Sequence, residues 1–124
     1  MTKKDAMRIP DYLEHILEAL KRIFHYVDDI DEVVFLTNEL VQDAVLRNLE
    51  IIGEAANKLV HYHDEFIKQY SDVPWEDMYW MRNRISHGYF SIDFEIIWKT
   101  IEQDLPELKI QIQGIYQKIM AQSL

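Results

Sequence analysis

Pro10-Asp11-Tyr12-Leu13-Glu14-His15-Ile16-Leu17-Glu18-Ala19-Leu20-Lys21-Arg22-Ile23-Phe24-His25-Tyr26-Val27 decides the fold class. Its large apolar residues, Leu13, Ile16, Leu17, Leu20, Ile23, Phe24 and Val27, recur at spacings of three and four, the signature of a helix with one buried stripe. Pro10 suits the first turn, where its missing N–H costs nothing. The spacing predicts a helix from about Pro10 to Val27, with His15 and His25 on its polar face.

The same period governs the rest of the chain. Asp28-Asp29-Ile30-Asp31 interrupts it, and either Asp31 or Thr37 could cap the next segment by accepting from orphan backbone amides. A short turn or helix is expected near Glu32 to Leu36. From Asn38 to about His61 the stripe returns as Leu40, Val41, Ala44, Val45, Asn48, Ile51, Ile52, Ala55 and Leu59. Gly53 sits within it at a cost of about 1 kcal/mol relative to Ala; close approach of a neighbouring helix and simple tolerance are equally good explanations. His61 to Tyr70 reads as a short amphipathic helix. Pro74 opens another, carrying Trp75, Met78, Tyr79, Met81, Arg82 and Ile85, and Gly88 is expected to end it in a left-handed cap. Ser91 or Asp93 can cap a last helix through Phe94, Ile97, Trp98, Ile101 and Leu105. Pro106 then kinks or restarts it, and Leu108, Ile112, Ile115, Tyr116 and Ile119 continue the stripe.

Only three glycines and three prolines occur in 124 residues, and no segment alternates with the period of a strand. The expectation is one all-α domain over residues 1–124, an antiparallel bundle of four to five main helices with short connections. Bundles of this kind often dimerise through a spare apolar stripe. A hydrophobic content of 48% is enough for a core without staples.

Composition narrows the chemistry. There is no cysteine, which removes disulfides, thiolate catalysis and cysteine-bound zinc. Met1-Thr2-Lys3-Lys4-Asp5 lacks the apolar stretch of a signal peptide, and no run reaches membrane-spanning length, so a cytoplasmic protein is expected. With 22 acidic and 13 basic residues the formal net charge is −9, the wrong sign for coating nucleic acid nonspecifically. Any nucleic-acid contact must be local. His61-Tyr62-His63-Asp64 superficially suggests a metal, but histidines two apart leave a helix on different sides and no further ligands lie at suitable spacing. No metal or cofactor is expected.

Arg82-Asn83-Arg84-Ile85-Ser86-His87-Gly88-Tyr89 is the local exception to the acidic balance. Arg82 and Arg84 can fork onto phosphate oxygens, and His87 can exchange a proton near neutral pH. RNA cleavage without a metal needs a base for the ribose 2′-hydroxyl, an acid for the departing 5′-oxygen and cations for the phosphorane. His87 suits either proton role, Arg82 the cationic one, and Arg84 could steer substrate. On a regular helix Arg82 and His87 are about 140° apart, whereas Asn83 and His87 share a face. Unwinding at Ser86 to Gly88 would bring His87 toward Arg82. One chain supplies one histidine here, so an acid–base pair needs a second protomer or assistance from the substrate. Spacing alone favours solvated or helix-capping side chains over catalysis.

The motif resembles the R-N-x3-H-x-Y signature of HepT toxins, in the HEPN superfamily of metal-independent ribonucleases. Ala44-Val45-Leu46-Arg47-Asn48-Leu49-Glu50-Ile51-Ile52-Gly53-Glu54-Ala55-Ala56 is similar to that family's second-helix pattern, and Val73-Pro74-Trp75 and Asp93 through Pro106 also fit. The resemblance covers roughly Ile9 to Leu108. It implies a homodimer whose Arg82 and His87 line a composite cleft, with Asn83 orienting and RNA, transfer RNA in some members, as the substrate. It further implies a minimal nucleotidyltransferase antitoxin that transfers AMP to Tyr89. A nucleotidyl group there would set bulk and negative charge beside the cleft and compete with substrate for Arg82. On residues alone, Tyr89 reads as an aromatic with its hydroxyl at the surface.

Arg47, Glu50 and Glu54, at spacings of three, four and seven, share a helix face. Spacing favours an intrahelical ion pair; the resemblance favours a supporting position at the cleft. Among the aromatics, Trp75, Tyr79, Trp80, Phe90, Phe94 and Trp98 have spacings that suit packing, with Tyr79 and Phe90 the first choices for RNA contact. The competing functional expectation is a noncatalytic helical module that binds a nucleotidyltransferase as its adaptor or substrate. A third is a relative that keeps only the fold.

Overall fold

The computed structural model describes residues 7–87 and 92–122, excluding the side chains of 82–87. Every regular element among them is helical: α1 (Ile9–Val27), α2 (Glu32–Thr37), α3 (Glu39–Tyr62), α4 (Asp64–Gln69), α5 (Trp75–His87), α6 (Phe94–Lys99) and α7 (Leu105–Gln122), with a π-turn over Thr100–Asp104 joining the last two. Four long rods therefore stand where the apolar stripes place them: α1, α3, α5 and the run from Phe94 to Gln122.

Helix α3 is the hub. It packs against α1 and α5, and more lightly against α2 and α4, while α7 lies along α1. Its buried residues, which include Val45, Leu49, Ile52, Gly53, Ala56 and Leu59, cover about half of its circumference. Gly53 is thus buried, which is compatible with both explanations of its place in the helix. Leu40 departs from the expected stripe and is 81% exposed. It precedes Val45 by five residues, which puts it about 140° away round the helix, on the side turned from the core.

The capping alternatives resolve on hydrogen bonds. Asp31 Oδ1 accepts from the Val34 N–H at 3.0 Å and starts α2, whereas the Thr37 hydroxyl donates back to the Val33 and Val34 carbonyls. Asn38 caps α3 by accepting from the Val41 N–H at 3.0 Å. Asp93, which sequence alone does not distinguish from Ser91, accepts from the Glu95 and Ile96 amides to open α6. Ser91 and Gly88 lie outside the described residues.

Two boundaries are irregular. Helix α3 ends at Tyr62 and the short helix begins only at Asp64, because His63 leaves helical geometry at φ −132° and ψ 54°. Its Nε2 lies 3.0 Å from the Met7 carbonyl, and its ring meets Tyr12 edge-on, so His63 ties the break to the start of α1. At the other end the helix restarts, one of the two expected outcomes, with Pro106 second in α7 directly after the π-turn. A proline cannot donate to the carbonyl four residues back and its ring crowds it. The π-turn immediately before it widens the helix, with the Leu105 N–H bonded to the Thr100 carbonyl five residues back, and the rod continues.

Phe35 closes the end of the bundle. Fully buried, it stacks obliquely on Trp98 at 5.2 Å and meets Phe94 edge-on at 6.1 Å. Its carbonyl accepts from Gln42 Nε2 at 2.9 Å in a buried bond. This one side chain joins α2 to α6 while its backbone joins α2 to α3. Phe35→Ala is expected to cost about 3–5 kcal/mol of stability, the range for emptying a buried aromatic site. Chemical denaturation reads this as a lower midpoint at unchanged slope.

Candidate functional site

The motif residues ride on α5, and the first half of that helix explains how they are held. Val73, Trp75 and Met78 are buried, and Trp75 Nε1 donates to the Tyr70 carbonyl at 2.9 Å. Phe66 of α4 lies 5.8 Å from the Trp75 ring. The N-terminal half of α5 is therefore a root set in the core against α3 and α4. Positions 82, 83, 84 and 87 come next, on the last turns of the same helix.

The backbone stays helical through Ser86 and His87. The unwinding over Ser86 to Gly88 that would swing His87 toward Arg82 is absent at Ser86 and His87, and Gly88 lies outside the described residues. Positions 82 and 87 remain about 140° apart in helical register, and 83 and 87 share one line along the axis. The continuous helix has a physical reason: Ile85 and Ser86 are followed by His87, and the residue able to take a left-handed cap without strain comes only at position 88. Tyr89 and Phe90 lie outside the described residues.

On α3, Arg47 is exposed and Glu50 and Glu54 are half-buried, all on the side away from the buried arc. No ion pair joins Arg47 to Glu50 among the described residues. Asn48, read as part of the apolar stripe, is buried. Its Nδ2 donates to the Ala44 carbonyl at 2.9 Å while its Oδ1 has no partner among the described residues. Such an orphan oxygen costs about 1–3 kcal/mol.

The aromatics separate cleanly. Trp75 and Trp98 belong to the core, Phe94 packs against it, and Tyr79 is half-buried. Trp80 is 57% exposed and, rather than Tyr79, is the aromatic that α5 presents to solvent. Position 80 precedes 83, 84 and 87 by three, four and seven residues, so it continues the register line of the motif. A signal for it existed, since Trp80 stands off the 75–78–81–85 stripe. His61 is exposed, His63 is engaged with Met7 and Tyr12, and no three His, Asp or Glu side chains converge among the described residues. Among those residues, too, no helix is long and apolar enough to cross a membrane.

Comparison with known proteins places these features in a family. A family model described as "Ribonuclease HepT-like" matches residues 16–115. A protein of Methanocaldococcus jannaschii named "Putative RNase MJ1380" is 34% identical over 113 residues, which cover 91% of this chain and 98% of that one. "Probable ribonuclease HepT" of Thermococcus cleftensis is 39% identical over 99 residues, 80% of this chain and 87% of its own. "Putative RNase TTE0752" of Caldanaerobacter subterraneus subsp. tengcongensis is 39% identical over 107 residues, 86% and 93% of the two chains. No solved structure gives a significant match.

The three tryptophans give this geometry a direct optical test. Trp80→Phe is expected to remove most of the acrylamide-quenchable fluorescence, and Trp75→Phe little of it. A quenchable signal that survives Trp80→Phe would place the indole inside the fold.

Proposed function

The chain belongs to the HepT-like ribonuclease family, and we propose that it is a metal-independent endoribonuclease acting as the toxin of a toxin–antitoxin pair, with transfer RNA a candidate substrate. The observation that carries this reading is the seating of the R-N-x3-H segment on the outer turns of a helix whose first half is fixed in the core. Preorganised cations and proton donors lower a barrier only when their scaffold is rigid.

In the proposed reaction the ribose 2′-oxygen loses its proton and attacks the adjacent phosphorus. The P–O5′ bond breaks, a 2′,3′-cyclic phosphate forms, and the 5′-oxygen takes up a proton. His87 acts in proton transfer, Arg82 stabilises the added negative charge, Asn83 orients one of them and Arg84 binds the flanking phosphate. Two protomers supply two copies of His87, which answers the need for both an acid and a base. Support for association comes from the exposed apolar residues Val33, Leu40 and Ile96, at 71%, 81% and 52% exposure, on helices α2, α3 and α6. Arg47, Glu50 and Glu54 are proposed to line the cleft in a supporting role. The proposed site of action is the cytoplasm.

Control would come from a minimal nucleotidyltransferase antitoxin that transfers AMP from ATP to the Tyr89 hydroxyl with release of pyrophosphate. The added phosphate would compete with RNA for Arg82. Trp80 is proposed to stack on a base beside the cleaved linkage, an interaction worth about 1–3 kcal/mol.

His87→Ala is expected to lower RNA cleavage by about 10²–10⁴-fold while the circular dichroism spectrum and melting temperature stay those of the parent. Cleavage at the parental rate by the folded variant would favour the noncatalytic adaptor instead. Incubation with the cognate nucleotidyltransferase and ATP is expected to raise the intact mass by whole AMP units, and Tyr89→Phe to abolish the gain. An unchanged parental mass with a competent enzyme rejects the modification.

A further inference from the structure

A groove of about 340 Å³ runs between α3, α5 and the junction of the π-turn with α7. Its floor is apolar, formed by Leu49 and Ile52 of α3, Met78 of α5, and Leu105 and Leu108 of α7. Its rim is acidic. Asp72 precedes α5, Asp77 lies in the first turn of α5, Asp104 ends the π-turn and Glu107 opens α7.

We propose that this groove docks a segment of a partner protein that presents a large apolar side chain flanked by lysine or arginine. The case rests on complementarity of both kinds. Four carboxylates from three separate parts of the chain surround one apolar floor, all four residues are exposed, and no ion pair engages them among the described residues. No lysine, arginine or histidine is found among the described lining residues. An apolar anchor gains by leaving water, and cations on either side of it gain from the rim and are steered to it at low salt. The same four carboxylates disfavour a polyanion as the occupant.

Two features suit a protein segment more than a compact small molecule. The groove is open to solvent, and Met78 and Met81 supply flexible, polarisable side chains that adapt to a protruding apolar group. Its shape also depends on an irregularity. The π-turn over Thr100–Asp104 inserts the extra residue that shifts Leu105 and Leu108 relative to α6, and such turns recur at functional sites. Gln111 Nε2 bonds the Asp72 carbonyl at 3.3 Å and holds the loop before α5 to α7 at the groove's edge. An occupant would press on positions 77, 78 and 81, immediately before the motif turns of α5. The inference does not require the chain to cut RNA.

The test uses the full chain labelled with ¹³C at its methionine methyl groups, titrated with an amphipathic helical peptide built only of leucine and lysine. Expected are shifts at Met78 and Met81 with none at Met120, and no binding of the matching leucine–glutamate peptide. Asp104→Lys with Glu107→Lys should weaken binding by at least about tenfold, the loss expected from reversing paired charges at an interface. Asp28→Lys with Asp29→Lys changes the net charge equally, outside the groove, and should leave affinity within about twofold. Should the first pair fail to fold, Asp72→Asn with Asp77→Asn serves in its place, with weaker binding again expected. Absence of shifts at Met78 and Met81, or equal loss of affinity in the rim and control variants, overturns the proposal.

Discussion

Burial of half the circumference of α3 is the constraint on which the rest of the structure depends. One helix cannot cover so wide an arc, so α1 and α5 take separate parts of it, while α2 and α4 cover its two ends. Gly53, Ala55 and Ala56 keep the middle of α3 narrow and buried, and the larger Leu49, Ile52 and Leu59 fill the remaining space. Helix α5 owes its position to this contact and to the Trp75 root. Whatever chemistry its outer turns perform is aimed by packing several residues earlier in the chain.

This division of labour has an energetic logic. Core aromatics such as Phe35 and Trp75 each bury a large surface and fix an element's end, whereas exposed groups such as Trp80, Arg47 and the groove carboxylates contribute little to stability and remain available to partners. The acidic body and the basic motif are compatible on the same reasoning. Net charge works over long distances and is screened by salt, while a guanidinium on a phosphate acts at contact.

The helices were legible because their period is a local property. Leu13 to Val27 and Leu108 to Ile119 mark their buried faces without reference to any other segment, and Asp31, Asn38 and Asp93 carry side chains that can close a helix start. Less was legible where two local tendencies compete. Pro106 favours a break, yet the apolar stripe on both sides favours one continuous rod, and the π-turn reconciles them at the cost of one irregular turn. His63 breaks α3 because of the Met7 carbonyl, a partner 56 residues away. Leu40 and Trp80 needed helical register to be read against the finished core.

The site divides in the same way. Residue types at positions 82, 84 and 87 suit phosphate chemistry, and the parts proposed for Asn83 and Tyr89 rest on the family resemblance; the convergence that the proposal requires is opposed by spacing on one helix and calls for a second protomer. The groove was invisible for a related reason, since its floor is assembled from three segments, around Leu49, Met78 and Leu105, that lie far apart in the chain. The central claim is that guanidinium and imidazole groups alone drive transesterification at the ribose. It is tested most directly by the ends that the purified protein leaves on RNA in excess chelator. The account predicts 2′,3′-cyclic phosphate and 5′-hydroxyl termini at an undiminished rate; 3′-hydroxyl termini, or cleavage that stops until a divalent cation is restored, would contradict it.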